Sequence, residues 1–407
     1  MTPLLSVVIP THNRAVYAQH AIRSLLDIPH PGLEVVVSDT SNDGELFSLV
    51  NETSNATLRD RRLVYFRPSD KLDMTGNHNS AISAATGEYV CLIGDDDTVV
   101  PDALVAAAWA SSSRIEVIAP NIVANYAWPD FQSRHLGYGH SSRLYFSKKM
   151  GGASIHESAQ ALVVALRAAA QGTDGLPKVY HGIVKRTVLE RLRERSGAYF
   201  HGSSPDVSGA IGLALCTNRF VVTDYPLTIP GASGGSNTGR SAMNKHKGKL
   251  NQESQTKAFE TSGWSSGVPR FFSVETVWAH AAIETIKHLA PHHVQEFNFA
   301  RLIAICRVLH SEFQEEIDRA ASEVQQLVGT SASGLSEQIA AEVKRFKKAR
   351  FSRVLKRLST PTAAGGRAYT PNLDTIAATP AALAKHMASR GLDWEQVTAT
   401  LTGCTSP

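Results

Sequence analysis

The chain has no run of 18 or more apolar residues, so no membrane-spanning helix is expected. Cysteine is scarce. Cys91, Cys216, Cys306 and Cys404 lie far apart, and no two form a CxxC pair, which argues against a zinc site built on cysteine. Cys91 and Cys216 fall in apolar runs and read as buried free thiols, which suits a reducing compartment. Charge of one sign is also lacking. The 41 basic and 37 acidic residues leave a formal net charge of +4, too little to imply a nucleic-acid partner, and none is expected. The N-terminus has no basic start, and its apolar run Leu4–Ile9 ends at Pro10. It does not read as a signal peptide, so the expected location is the cytoplasm, with the inner face of the membrane as a further candidate.

What is present is an ordinary globular composition, 43% hydrophobic and 19% charged, over 407 residues. That length is too great for one ordinary domain. The first hundred residues alternate between two patterns. Leu4–Ile9, Leu33–Val37, Leu63–Phe66 and Tyr89–Ile93 are short apolar runs and read as buried strands. Between them, Tyr17–Leu26 and His78–Ala85 have helical spacing, and Pro101 opens another helix. Strands alternating with helices predict an α/β fold with a doubly wound, Rossmann-like sheet. Further on, Glu116–Val123 reads as a strand, Ser154–Ala170 as a helix and Val179–Val184 as a strand. Residues 241–270 read as a loop and candidate lid, because Pro230–Gly267 is rich in Gly, Ser, Asn and Lys. Residues 271–407 read as a helical C-terminal region, with one long helix over Phe297–Val328 and a linker over Thr360–Thr379.

The polar clusters sit where the strands end. Thr11-His12-Asn13-Arg14 follows the first strand, Asp39-Thr40-Ser41 the second and Gly94-Asp95-Asp96-Asp97 the fourth. In such sheets, ligands bind beyond the carboxyl ends of the strands. Three adjacent carboxylates repel one another and need a counter-charge. A divalent cation supplies one and can bridge to diphosphate oxygens. The plain alternative is a solvated turn before the Pro101 helix.

Three segments carry a resemblance. They are SVVIPTHNR at Ser6–Arg14, VVVSDTSNDG at Val35–Gly44 and the stretch Asn77–Leu104. In order and spacing they resemble the family 2 glycosyltransferases, which have the GT-A fold. The likeness is strong over roughly the first 120 residues and looser to about residue 240. It implies a GT-A domain over residues 1–240 and transfer of a sugar, with inversion, from a nucleotide-diphospho-sugar. A UDP-sugar donor is favoured, with Mg2+ or Mn2+ as cofactor. The acceptor would be a saccharide or lipid-linked saccharide hydroxyl, in bacterial surface polysaccharide or glycolipid synthesis. By the same resemblance, Pro10, Thr11, Asn13 and Arg14 line the nucleotide pocket. Asp39 pairs with the base, Ser41 follows it in the loop, and Asn79 approaches the diphosphate and sugar. Asp95, Asp96 and Asp97 cover the metal motif, and Asp95 and Asp96 also belong to the nucleotide-sugar site.

There is one departure. Family members often read Asp-x-Asp-Asp where this chain has Gly94-Asp95-Asp96-Asp97. Either the metal rests on Asp96 and Asp97, or the register is Asp95-x-Asp97. Asp206, early in a predicted helix after Ser204 and Pro205, matches the general base. An Asp in a first turn is also what the helix dipole favours. His246 is a further metal candidate, and Lys245 and Lys247 beside it could meet diphosphate charge. The basic stretch Phe346–Leu358 could lie on an anionic membrane as a peripheral contact. Two rival readings remain at this stage: a nucleotidyltransferase, and a non-catalytic nucleotide-sugar-binding protein on the same fold.

Overall fold

A computed structural model describes residues 2–52, 60–134, 136–243, 246–253, 255–261, 263–329, 331–358 and 365–401. Lys245 and Cys404 lie outside them, as do the side chains of residues 356–358. Eight strands form the main sheet: β1 (Leu5–Thr11), β2 (Leu33–Asp39), β3 (Leu63–Phe66), β4 (Tyr89–Leu92), β5 (Val117–Pro120), β6 (Ala153–Glu157), β7 (Ile183–Lys185) and β8 (Arg219–Thr223). Their order is β3-β2-β1-β4-β7-β5-β8-β6. The first four are parallel, and β7 enters antiparallel between β4 and β5. The expected mixed α/β sheet with a helical region after it is therefore what the chain forms.

Every residue of β1 and β2 is buried, because helices cover both faces. One layer packs α1 (Ala15–Leu26) through Ala18, Ile22 and Leu25 onto Val7, Ile9 and Val35, and α2 (Glu45–Asn51) adds Leu46 to the same core. The other places α3 (Met74–Ser83) against Val8, Val36 and Leu92 through Ala81 and Ile82. A second core gathers the helices Ser158–Arg167, Pro205–Ala214, Val274–Leu289 and Phe299–Leu309.

Three expectations differ from the structure. Residues 153–157 form edge strand β6, pairing antiparallel with β8, before the helix Ser158–Arg167 begins. The apolar spacing of that helix ran on through the strand by chance of composition. Phe297–Val328 is two helices, Phe299–Leu309 and Gln314–Val328, because His310 leaves helical geometry at ψ 48°. Within the expected linker, Ala368–Thr370 is a strand on a second, four-stranded sheet. The chain after it returns to the first core, where Leu383, Met387 and Trp394 are buried.

Candidate active site

The parallel register sets Thr11 opposite Asp39 at the ends of β1 and β2. The loops that follow are locked together. Asn13 takes a left-handed φ of 54°, which asparagine tolerates better than most residues. Its backbone N–H then donates to Ser41 Oγ at 2.7 Å, and its Oδ1 accepts from the Asn42 N–H at 2.8 Å. Asp39 is buried, with Oδ1 accepting from the Ser41 N–H at 2.8 Å and Oδ2 from the Tyr65 hydroxyl at 2.7 Å. From α3, Asn77 Nδ2 donates to the Thr11 carbonyl at 3.1 Å and the Ser38 carbonyl at 3.3 Å, tying both strand ends to the helix.

The three aspartates after β4 have different surroundings. Asp95 meets Arg14 Nε at 2.6 Å through Oδ1 and the Thr11 hydroxyl at 2.7 Å through Oδ2. Asp96 accepts through Oδ2 from the Ser233 hydroxyl at 2.5 Å and faces Arg14 Nη2 at 3.0 Å. Its Oδ1 has no partner among the described residues. Asp97 is turned inward and saturated. Oδ1 accepts from the Gly231 N–H at 2.7 Å, while Oδ2 takes the Gly94 N–H at 2.7 Å, the Tyr180 hydroxyl at 3.1 Å and His181 Nε2 at 3.1 Å.

The electrostatics follow this split. Burial, then the charge of Asp97, pushes the Asp96 carboxyl up to about 7 against the pull of Arg14. Burial likewise raises Asp95 despite Arg14. Burial also opposes ionisation of Asp97, but the charge and hydrogen bond of His181, helped by the Gly231 and Gly94 N–H groups, hold it low. One guanidinium thus serves two carboxylates, and the pair facing outward still lacks positive charge.

Asp95 and Asp96 border a cavity of about 350 Å3 with Pro10, Thr11, Arg14, Thr40, Asn77, His78, Gly94 and Tyr180. Gly231 and the segment Gly235–Thr238 close it. Asn13, Asp39 and Ser41 stand behind this lining as supports. Asn79 is not brought to the cavity. Its amide holds the chain at 199–200, accepting from the Tyr199 and Phe200 N–H groups at 2.9 and 3.0 Å. His246 is also elsewhere, packed on Phe272 with ring centroids 4.5 Å apart. Asp206 lies on the first turn of the helix Pro205–Ala214, where its Oδ1 accepts from the Ser204 hydroxyl. Its charge reaches Tyr180, as do those of Asp97 and Asp96. Ser233, Asn77 and Tyr180 were missed from the sequence. Ser233 and Tyr180 are more than 80 residues from the acidic run, so no local pattern marks them.

Residues 6–161 match the family model described as "Glycosyl transferase family 2". Over these residues the chain is similar to the family 2 glycosyltransferases. A β-1,3-glucosyltransferase of Campylobacter jejuni acting on GalNAc(5)-diNAcBac-PP-undecaprenol is 36% identical over 103 residues, 25% of this chain and 32% of the relative. Chondroitin synthase of Pasteurella multocida is 25% identical over 146 residues, 33% of this chain and 15% of that protein. The match therefore spans a third or less of these curated relatives. Among solved structures, S. aureus TarS 1–349 in complex with UDP-GlcNAc aligns with a TM-score of 0.43 at 16% identity, covering 96% of this chain and 93% of that one.

The glycine that departs from this family's usual motif has a physical reason. A Cβ on Gly94 would stand 2.8 Å from Asp97 Oδ2 and 3.0 Å from the Tyr180 hydroxyl. The phenol of Tyr180 occupies the ground a longer side chain would need. Gly231 is tighter still, since its Cβ would meet the Asp96 carbonyl oxygen at 1.8 Å and Trp128 Nε1 at 2.8 Å. Gly231→Ala should therefore force the closing segment off the acidic turn, costing about 1–3 kcal/mol of stability. Urea unfolding checks this, and a variant as stable as the parent would contradict the packing described.

Proposed function

We propose that this glycosyltransferase moves a sugar from a nucleotide-diphospho-sugar, with UDP-sugars favoured, to a hydroxyl acceptor with inversion at the anomeric carbon. The single observation carrying this is the pair Asp95 and Asp96, buried yet bordering a 350 Å3 cavity at the strand ends. The names of the curated relatives support a setting in bacterial surface glycan or glycolipid synthesis. No helix among the described residues is long and apolar enough to cross a membrane.

In this reading Asp39 orients the base from behind the Thr40 wall, accepting from a ring N–H on the lone pairs left free. The Thr11–Arg14 loop faces the ribose and diphosphate. Arg14 holds Asp95 and Asp96 in place and offsets their repulsion. Asp206 accepts the proton of the acceptor hydroxyl. The acceptor oxygen then bonds to the anomeric carbon as the bond from that carbon to the phosphate oxygen breaks, and the nucleoside diphosphate leaves.

A divalent ion fits this donor set in one way only. Among the described residues, no group of three His, Cys, Asp or Glu side chains is spaced to hold a metal. One carboxylate oxygen, Asp96 Oδ1, is open. Mg2+ is commonly held by one or two carboxylates, with substrate phosphates and waters completing its shell. Asp96 would hold the ion, with Asp95 adjacent, and the ion would supply charge to the departing diphosphate. His246 is too remote to join, and Asp97 has no open oxygen.

This makes metal and nucleotide binding interdependent. Mn2+ alone should bind weakly, and saturating UDP should tighten it by roughly 5- to 150-fold, with the reciprocal effect on UDP. Calorimetric titration of each ligand with and without the other measures both. Independent binding would rule out a shell shared with the diphosphate. A thermal-shift screen of UDP, GDP, dTDP and CMP, followed by donor-sugar turnover with Mn2+, tests the function itself. Stabilisation by a nucleotide without turnover would favour a binding protein, and no stabilisation by any of them would defeat the proposal.

A further inference from the structure

The basic segment singled out in the sequence forms the end of a long helix, Ala332–Leu358. The first turns of that helix are docked. Leu335 and Ile339 are buried in the second core, and Val343 packs against it. Glu342 is buried too, and meets Arg301 at 3.0 Å. The last turns are not docked. Every residue from Lys347 to Leu355 is exposed.

Three of those residues are large and apolar. Phe351 is 65% exposed, more than any other large apolar side chain among the described residues, and Val354 and Leu355 are 50% and 51% exposed. Their i, i+3, i+4 spacing gathers them into one stripe. At about 100° per residue, Phe351 stands about 180° round the helix from Glu342, and Leu355 about 160° from Ile339. Both therefore point away from the docked face. Val354, at the edge of the stripe, also borders a cavity of about 660 Å3 beside the helix. Single exposed apolar residues are ordinary, but a stripe rimmed by charge marks a surface that is covered in use.

Charge identifies the cover. From Val343 to Leu358 the sequence holds eight Lys and Arg residues and no Asp or Glu. Arg345 reaches Glu342. Lys344, Lys347, Lys348, Arg350 and Arg353 have no carboxylate within ion-pair distance among the described residues. The three lysines fall on the face of Phe351, one to two turns before it. A second copy of the chain would set this charge against itself. A nucleic acid would meet the cations but leave the aliphatic side chains in water. An anionic bilayer answers both. Apolar side chains enter the boundary between headgroups and acyl chains, while lysine stems run along it and carry their charges to the headgroups.

We propose that the helix end from Lys344 to Leu355 lies along an anionic phospholipid bilayer, with Phe351 and Leu355 inserted and the lysines at headgroup level. This does not rest on the transferase reading above. The helix is continuous with turns packed into the second core, so the contact holds the body of the protein at the surface.

The test co-sediments the full chain with vesicles of phosphatidylcholine alone and of phosphatidylcholine mixed with phosphatidylglycerol. Binding is expected to the mixture only, and it should weaken as salt is raised. Phe351→Gln/Leu355→Gln should weaken it at least ~10-fold at fixed salt. Lys344→Gln/Lys347→Gln/Lys348→Gln should weaken it by at least ~10-fold too, and should flatten the salt dependence. All five positions are exposed, and glutamine is a good helix former, so both variants should melt with the parent. Equal binding by the parent and either variant overturns the proposal, as does equal binding to the two kinds of vesicle. Failure of the parent to bind the mixed vesicles overturns it as well, whether sedimentation velocity then shows the face joining two copies or a gel shift shows it holding RNA.

Discussion

Asp96→Asn is expected to lower kcat/KM for sugar transfer by about 10²–10³-fold while leaving the melting temperature close to that of the parent. The asparagine keeps the volume and can still accept from the Ser233 hydroxyl, which meets Asp96 Oδ2 at 2.5 Å. It removes the charge on Asp96, whose Oδ1 has no partner among the described residues. Arg14 keeps its 2.6 Å partner Asp95, so the loop stays in place. The neighbouring residue should behave in the opposite way. Asp97 receives the Gly94 and Gly231 N–H groups, Tyr180 and His181, so Asp97→Ala leaves four buried or part-buried groups without their acceptor. Its stability should fall by about 3–5 kcal/mol. Steady-state kinetics and thermal melts on the two variants decide the matter. Should Asp96→Asn retain full turnover, or lose stability as Asp97→Ala does, the division of roles is wrong.

That division was only partly legible in the sequence. The strands Leu33–Asp39 and Leu63–Phe66 could be placed because parallel strands buried on both faces read as unbroken apolar runs. The polar loops after them could be placed on one edge for the same reason. The register of the acidic run could not. It is set by Gly231, Ser233, Tyr180 and His181, which reach the turn from distant parts of the chain. Asn79 illustrates the same limit. Its place on α3 fitted a ligand role, but α3 turns Asn77 toward the loops and Asn79 toward the Tyr199–Phe200 backbone. The two positions differ by two residues, about 200° around a helix, so a small error in phase exchanges a supporting residue for a lining one. The C-terminal region is helical as expected, but what its last helices pack on was not legible, for a different reason. Trp394 packs edge-on against Trp109, with ring centroids 5.7 Å apart, and nothing local in either segment announces so distant a partner.

Asp206→Asn is the second decisive substitution. Removing a general base typically costs 10²–10⁴-fold in rate, and the loss should fall on kcat with UDP affinity intact, because Asp206 does not border the donor cavity. The environment suits a base. Burial raises its carboxyl pKa, while the Ser204 hydroxyl and the N–H groups of the helix start oppose the rise. A raised carboxylate is a stronger base, but only once ionised. Activity should therefore increase with pH through an acid limb lying above the ordinary Asp value of about 3.9. Asp206→Asn should lose the Asp206 limb and most of the rate, while a higher acid limb from Asp96, pushed up to about 7, should remain. Tyr180 provides the control. Its hydroxyl donates to Asp97 at 3.1 Å and it also feels the charge of Asp206. Tyr180→Phe should loosen the acidic turn but keep the acid limb. If Asp206→Asn keeps the parent's rate and pH profile, Asp206 is a helix-start carboxylate with no part in the reaction.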